Sequence, residues 1–140
     1  MIAALLMNTG VIAIVVGLHY ELLGRLSKLI PKLQMARRAR ITVGVFGAIC
    51  GHAVEIWIFA GLYYLQIQLD GFGSLVGNFD GSLLDCVYFS FVSYTTLGYG
   101  DLAPTGHIRF LAGTESLVGL VMITWTASFL YVEMANYWKD

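Results

Sequence analysis

Apolar residues fill the chain from Met1 to Tyr20 without a Lys, Arg, Asp or Glu. That run matches the roughly 20 residues a helix needs to cross a hydrocarbon core. A second such stretch runs from Ile41 to Leu65, broken by His52 and Glu55, and a third from His107 to Tyr131, broken by Arg109 and Glu115. The pattern predicts three spanning helices, over residues 1–23, 41–65 and 107–135. The first is expected to be retained, because it lacks the basic leading region of a signal peptide and its apolar run is too long for such a peptide's core.

The segments between the spans differ in kind. Over residues 24–40 the chain is a basic connector. Leu22, Leu26, Leu29 and Leu33 recur at helical spacing while Arg25, Lys28 and Lys32 fall elsewhere on the wheel, which predicts an interfacial amphipathic helix. Pro31 should bend or close it, since a proline inside a helix loses a hydrogen bond and clashes with the preceding turn; a plain basic connector fits the same residues. Residues 66–81 carry the glycine and Asx chemistry of an exposed loop. Residues 82–95 are apolar and aromatic again, yet too few to cross and return, so they predict a re-entrant half-helix. Backbone that leaves the helical form at membrane depth is tolerated only where protein buries it or it lines a water-filled path, and Gly98-Tyr99-Gly100 follows that half-helix. Residues 41–140 thus form one unit, with 1–23 as an added span.

Composition agrees: 58% of the 140 residues are hydrophobic and only 12% charged, outside the balance of a soluble domain. The net charge of −1 matters less than its distribution. Six of the eight basic residues, Arg25, Lys28, Lys32, Arg37, Arg38 and Arg40, lie between the first two spans. By the positive-inside rule that connector is cytoplasmic, which puts the N-terminus outside and the C-terminus inside a plasma or bacterial inner membrane. The segment 66–106 is then external, with Asp70, Asp80, Asp85 and Asp101 and no basic residue, a face that concentrates cations. Cys50 and Cys86 lack metal-type spacing and read as small buried hydrophobes.

Thr95-Thr96-Leu97-Gly98-Tyr99-Gly100-Asp101 resembles the potassium-channel signature T-T-V-G-Y-G-D, over a stretch from Ile41 to Tyr131. The resemblance implies an all-α membrane protein with a re-entrant pore helix and a selectivity filter between the second and third spans, assembled as a homotetramer. It implies passive K⁺ conduction, with no cofactor, enzymatic activity, small-molecule substrate or nucleic-acid partner. A dehydrated cation needs a ring of oxygens, which backbone carbonyls supply, and glycine accepts the positive φ that aims them. By resemblance the carbonyls of Thr96, Leu97, Gly98 and Tyr99 and the Thr96 hydroxyl hold K⁺, with Gly100 closing the filter. The Tyr99 ring would brace it against Tyr88 and Phe89, and Asp101 would put four carboxylates at the outer mouth, cap a turn, or do both. Leu97 replaces the family's usual Val. Val92 occupies a position where some members pair a glutamate with the aspartate after the filter. A nonselective cation channel and a non-conducting accessory subunit are the alternatives.

Glu55, His52 and Glu115 are costly in lipid and need partners inside the protein. At about 1.5 Å per residue, the two glutamates fall at similar depth, and His52 shares a helical face with Glu55. One shared network of His52, Glu55 and Glu115 behind the filter is expected, acting either as a proton-sensitive gate or as a structural clasp. Gly119 sits where the family often carries a hinge glycine; close helix packing explains it equally well. Ile123, Thr126 and Leu130 are candidates for the inner pore face. A haem or quinone protein is the rival of another class, but the depths expected for His19, His52 and His107 separate them too far to pair.

Overall fold

A computed structural model describes residues 2–138. Four helices carry it: α1 (Ile2–Leu29), α2 (Arg37–Ile67), α3 (Leu83–Tyr94) and α4 (Ile108–Trp138). Three stretches, Ile2–Lys32, Arg37–Ile67 and Ile108–Asn136, are long and apolar enough to cross a membrane, and Leu83–Tyr94 is a shorter apolar helix. The chain is an all-α membrane protein in class. Large apolar side chains such as Leu6, Phe46, Trp57 and Leu117 face outward, as they do where lipid or another membrane helix is the neighbour.

Helix α1 has 28 residues, so at about 1.5 Å each it measures roughly 42 Å, against a hydrocarbon core of ~30 Å. The helix therefore continues past the apolar run, and no separate interfacial helix follows residue 23. Hydropathy marks where the membrane ends, whereas a helix ends where its backbone bonding does. That end is Leu29, followed by a short 3-10 turn, Ile30–Lys32, with Pro31 in its first positions, where a missing N–H is harmless. Helix α2 likewise begins at Arg37 rather than Ile41.

The leucine stripe has a different job from the one its charges suggest. Leu22, Leu26 and Ile30 lie over glycines of α2: an added Cβ at Gly51 would fall 2.0 Å from Leu22 Cδ2, one at Gly47 2.7 Å from Leu26 Cδ2, and one at Gly44 2.9 Å from Ile30 Cδ1. Small residues let membrane helices approach closely enough for dispersion to hold them. Leu29 remains 48% exposed.

Helix α3 is capped as its sequence asks. The Ser82 hydroxyl accepts the Asp85 N–H at 3.1 Å, the N-cap bond that satisfies one of the first-turn donors. Asp80, just before it, accepts the Ser82 N–H at 2.7 Å, and hydrogen bonding to Ser82 holds this exposed carboxyl below its ordinary range. The segments flanking α3 form a two-stranded ribbon that the sequence pattern did not predict. Strand β1 (Leu75–Gly77) pairs antiparallel with β2 (Leu102–Pro104), Val76 opposite Ala103. Three-residue strands leave no readable alternation, but this ribbon ties the approach to α3 to the exit from residue 101. Gly77 permits the join, with φ +111° and the Asp101 carbonyl where a side chain would stand.

The core lies between α2, α3 and α4, with Phe59, Tyr63, Cys86, Phe89, Tyr94 and Leu111 buried. Tyr63 and Phe89 meet edge to face, centroids 5.1 Å apart. Helix α4 runs unbroken through Gly119, where a Cβ would stand 2.1 Å from the Tyr94 carbonyl oxygen. That contact is backbone and cannot step aside. Gly119→Ala should therefore lower the thermal midpoint of the purified protein by several degrees or abolish its assembly. Gly61→Ala, with nothing within 4 Å of its added methyl, should be neutral or stabilising by up to about 1 kcal/mol.

Candidate functional site: the re-entrant segment and its polar supports

Helix α3 ends at Tyr94, and the backbone beyond it alternates in hand. Thr96, Gly98 and Gly100 have φ of 58°, 55° and 81°, while the intervening Leu97 and Tyr99 stay out of that region. In an extended strand successive carbonyls point to opposite sides; reversing the hand at every second residue brings them to the same side. Thr96 is the one non-glycine among the described residues to hold positive φ, a conformation that is strained for a β-branched residue.

The end of α3 holds this segment. Thr95 N–H donates to the Phe91 carbonyl at 3.1 Å, Thr96 N–H to Ser93 at 3.0 Å and Gly98 N–H to Val92 at 3.0 Å. The Ser116 hydroxyl of α4 donates to the same Ser93 carbonyl at 2.9 Å. Residues 96–101 remain exposed within one chain. Behind them a cavity of about 380 Å³ is lined by Phe89, Val92, Thr96 and Gly100, among others.

The residues singled out from sequence fall as follows. Asp101 is exposed and accepts a 2.8 Å hydrogen bond from the Tyr88 hydroxyl. Tyr88 is therefore turned to Asp101, Phe89 to Tyr63, and Tyr99 stands 68% exposed.

The expected single network of His52, Glu55 and Glu115 divides in two. Glu115 takes the Tyr63 hydroxyl at 2.5 Å on one oxygen and contacts Ser90 Oγ at 2.5 Å with the other. Glu55 meets His52 Nδ1 at 3.2 Å, as their spacing implied, together with the Tyr94 hydroxyl and His19 Nδ1, the last at 2.8 Å. Similar depth did not mean one cluster: Ser90 and Tyr94 lie one turn apart on the same face of α3, and each glutamate takes a different one of the two hydroxyls. Both glutamates are fully buried.

His19 was misplaced by depth, and the two histidines do pair: their centroids are 5.3 Å apart and both rings reach Glu55. They share one carboxylate instead of flanking a macrocycle. A signal for this existed. The buried polar residues of α1, Asn8 and His19, are 11 apart, as are Glu55 and Gln66 of α2, and an antiparallel pairing matches them: Gln66 Nε2 donates to Asn8 Oδ1 at 2.8 Å. Thr126 also leaves the expected pore face. Its hydroxyl lies 3.3 Å from His19 Nε2 and 3.0 Å from His52 Nε2, since a buried hydroxyl in a membrane needs a partner. Leu130 packs over Gly44.

With a re-entrant helix and a kinked backbone set between two spans, comparison with known proteins is decisive. A family model described as an ion channel matches residues 51–135. The chain belongs to this ion-channel family. The matched region runs from α2 through the re-entrant segment to α4, so the channel unit lies there and α1 precedes it. Protein LctB of Geobacillus stearothermophilus is 32% identical over 68 residues, 44% of this chain and 51% of that protein. The chain thus spans about half the length of that curated relative. No solved structure matches it significantly.

Removing one buried donor tests the support of the channel unit. Tyr63→Phe leaves a Glu115 oxygen without its hydroxyl and should destabilise the protein by about 1–3 kcal/mol, measured by denaturant unfolding in detergent. Tyr64→Phe on the exposed side of the same helix should change nothing.

Proposed function

We propose that four copies of this chain surround one axis and conduct K⁺ selectively through a filter formed by Thr96, Leu97, Gly98, Tyr99 and Gly100. The observation that carries this is the alternating hand of the backbone at Thr96, Gly98 and Gly100. It aims the carbonyls of Thr96 to Tyr99 to one side, where they can replace the water around a dehydrated cation. One chain supplies a quarter of each oxygen ring, so closed fourfold symmetry is required. The exposure of this segment in the single chain fits walls provided by other copies. Leu97 leaves carbonyl chemistry unchanged, and exposed Asp101 adds a carboxylate per subunit to the outer mouth, where cations collect.

The basic connector faces the cytoplasm, with the N-terminus outside and the C-terminus inside a prokaryotic plasma membrane. The first turn of α2 supports this orientation. It holds Arg37, Arg38 and Arg40, with no acidic residue and no side-chain cap, which is the wrong charge for a helix N-terminus. Such a cluster suits an anionic membrane surface.

Glu115 offers a proton-sensitive element. Ser90 Oγ lies 2.9 Å from the Ile56 carbonyl and 2.5 Å from Glu115 Oε1, and one hydroxyl proton cannot serve both acceptors. All contacts are satisfied when Glu115 itself carries a proton and donates to Ser90. The groups facing it are Tyr63 of α2 and Ser90 of α3, with Tyr94 of α3 within electrostatic reach. Losing that proton turns the Ser90 hydroxyl away from Ile56 and loosens α3 against α2.

Protein reconstituted in liposomes should pass K⁺ at least about 10-fold faster than Na⁺ under matched gradients. Equal flux of the two ions would make it a nonselective channel, and absence of flux from a fourfold assembly an accessory subunit. Currents from about pH 5 to 8 should vary with pH in the wild type and be flat in Glu115→Gln, whose amide donates permanently; identical pH responses would remove the proton-sensitive element.

A further inference from the structure

Five side chains drawn from all four helices meet beside the end of α3: His19, His52, Glu55, Tyr94 and Thr126. Both imidazoles present Nδ1 to the Glu55 carboxylate, at 2.8 Å from His19 and 3.2 Å from His52. Both present Nε2 to the single Thr126 hydroxyl, at 3.3 and 3.0 Å. The Tyr94 hydroxyl has one proton and two acceptors, Glu55 and, at 3.0 Å, His52 Nδ1.

Counting protons exposes a deficit. Take Glu55 ionised and both rings neutral, one proton per ring. With both protons on Nδ1, two Nε2 lone pairs compete for one Thr126 proton. With both on Nε2, Thr126 Oγ accepts from both rings, and each Nδ1 lone pair faces a carboxylate oxygen. A mixed pair satisfies Thr126 but leaves one Nδ1 without a hydrogen toward Glu55. While Glu55 is ionised each of these arrangements leaves the site one positive charge short, a place that either a proton or a cation fills, and the site is buried, His19 being 1% and Glu55 0% exposed.

We propose that this site binds a divalent transition-metal ion of the zinc class, held by His19, His52 and Glu55. Two imidazoles and a carboxylate form a donor set that such ions take. The ligand atoms of the three all lie within 4.8 Å of one another. Metal–ligand bonds of about 2.0–2.2 Å place tetrahedral donors roughly 3.3 Å apart, so the site closes with less than about 2 Å of side-chain movement. The outer contacts are in place as well. A ligating histidine donates its second N–H to an oxygen that fixes its orientation, and Thr126 Oγ stands at both Nε2 atoms with two lone pairs to accept them. A cavity of about 250 Å³, lined mostly by apolar side chains, borders His52 and Tyr94. The proposal is independent of which ion the filter selects. It gives α1, which lies outside the matched family region, a chemical link to the residue that precedes Thr95.

The test uses the tag-free chain purified in detergent, stripped with a chelator and titrated with Co²⁺ and then Zn²⁺. Expected are the intense visible bands of four- or five-coordinate Co²⁺ at one ion per chain, their displacement by Zn²⁺, and a two-imidazole signature in zinc X-ray absorption. His19→Gln and His52→Gln should each weaken binding by at least about 10-fold, and Thr126→Val by roughly 10-fold as an orienting residue. His107→Gln, outside the cluster, should leave binding unchanged. The proposal is overturned if Co²⁺ shows only the weak absorption of the hydrated ion, or if His19→Gln binds as tightly as wild type. A proton would then fill the place of the missing charge. Should the variants fail to assemble, X-ray absorption of the wild-type protein decides alone, since fewer than two imidazoles on the metal is incompatible with the site.

Discussion

A polar backbone that leaves its helix inside a bilayer must find every partner within the protein, because lipid offers none. Between Tyr94 and Asp101 this chain abandons helical bonding, and much of the surrounding structure holds that departure in place. Three N–H groups of the re-entrant segment turn back to carbonyls at the end of α3. One of those carbonyls also receives a hydroxyl from α4, and the absence of a side chain at Gly119 lets α4 approach near enough to give it. Beyond the segment, the β1–β2 ribbon fastens the outgoing strand to the loop that led in.

Helix α3 is therefore supported at two successive turns of one face by separate carboxyls. At one, Ser90 and Tyr63 join Glu115, which binds α3 to α2 and α4. At the other, Tyr94 joins Glu55 and through it His19 of α1. A single shared site would have left two carboxyls in competition within a low-dielectric interior. Two sites, each with its own hydroxyl partners, avoid that conflict and hold the short helix at both turns.

The spans, the half-helix and the glycines of the re-entrant segment were legible because each is written in a local signal: a run of about 20 apolar residues, a run too short to cross, or residues that tolerate positive φ. Helix ends were less legible, since Arg25 and Lys28 mark the membrane edge while α1 continues to Leu29. The partners of the buried polar residues were missed where they depend on rotation about a helix axis. Depth alone placed Glu55 with Glu115 and put His19 far from both. The ribbon was invisible because three-residue strands carry no periodicity, and because its pairing joins residues on either side of α3.

The fit of α1 on α2 shows how distance and register can be set by different residues. Gly44, Gly47 and Gly51 bring the helices close, but a ridge of Leu22, Leu26 and Ile30 repeats every turn and would pack nearly as well after sliding by one. Dispersion between apolar surfaces discriminates weakly among such positions. The polar residues do discriminate: a slide of one turn would strand Asn8, Gln66 and His19 in an apolar interior, at a cost of several kcal/mol for each unpartnered group, and would take one partner from Glu55. Equal spacing of those residues on the two helices means that one position alone brings both pairs into hydrogen-bond contact. In this helix pair the glycines set the separation and the buried hydrogen bonds set the register, as a lone polar residue does in a coiled coil. It is this register that delivers His19 to Glu55, and so connects the added helix to the end of α3.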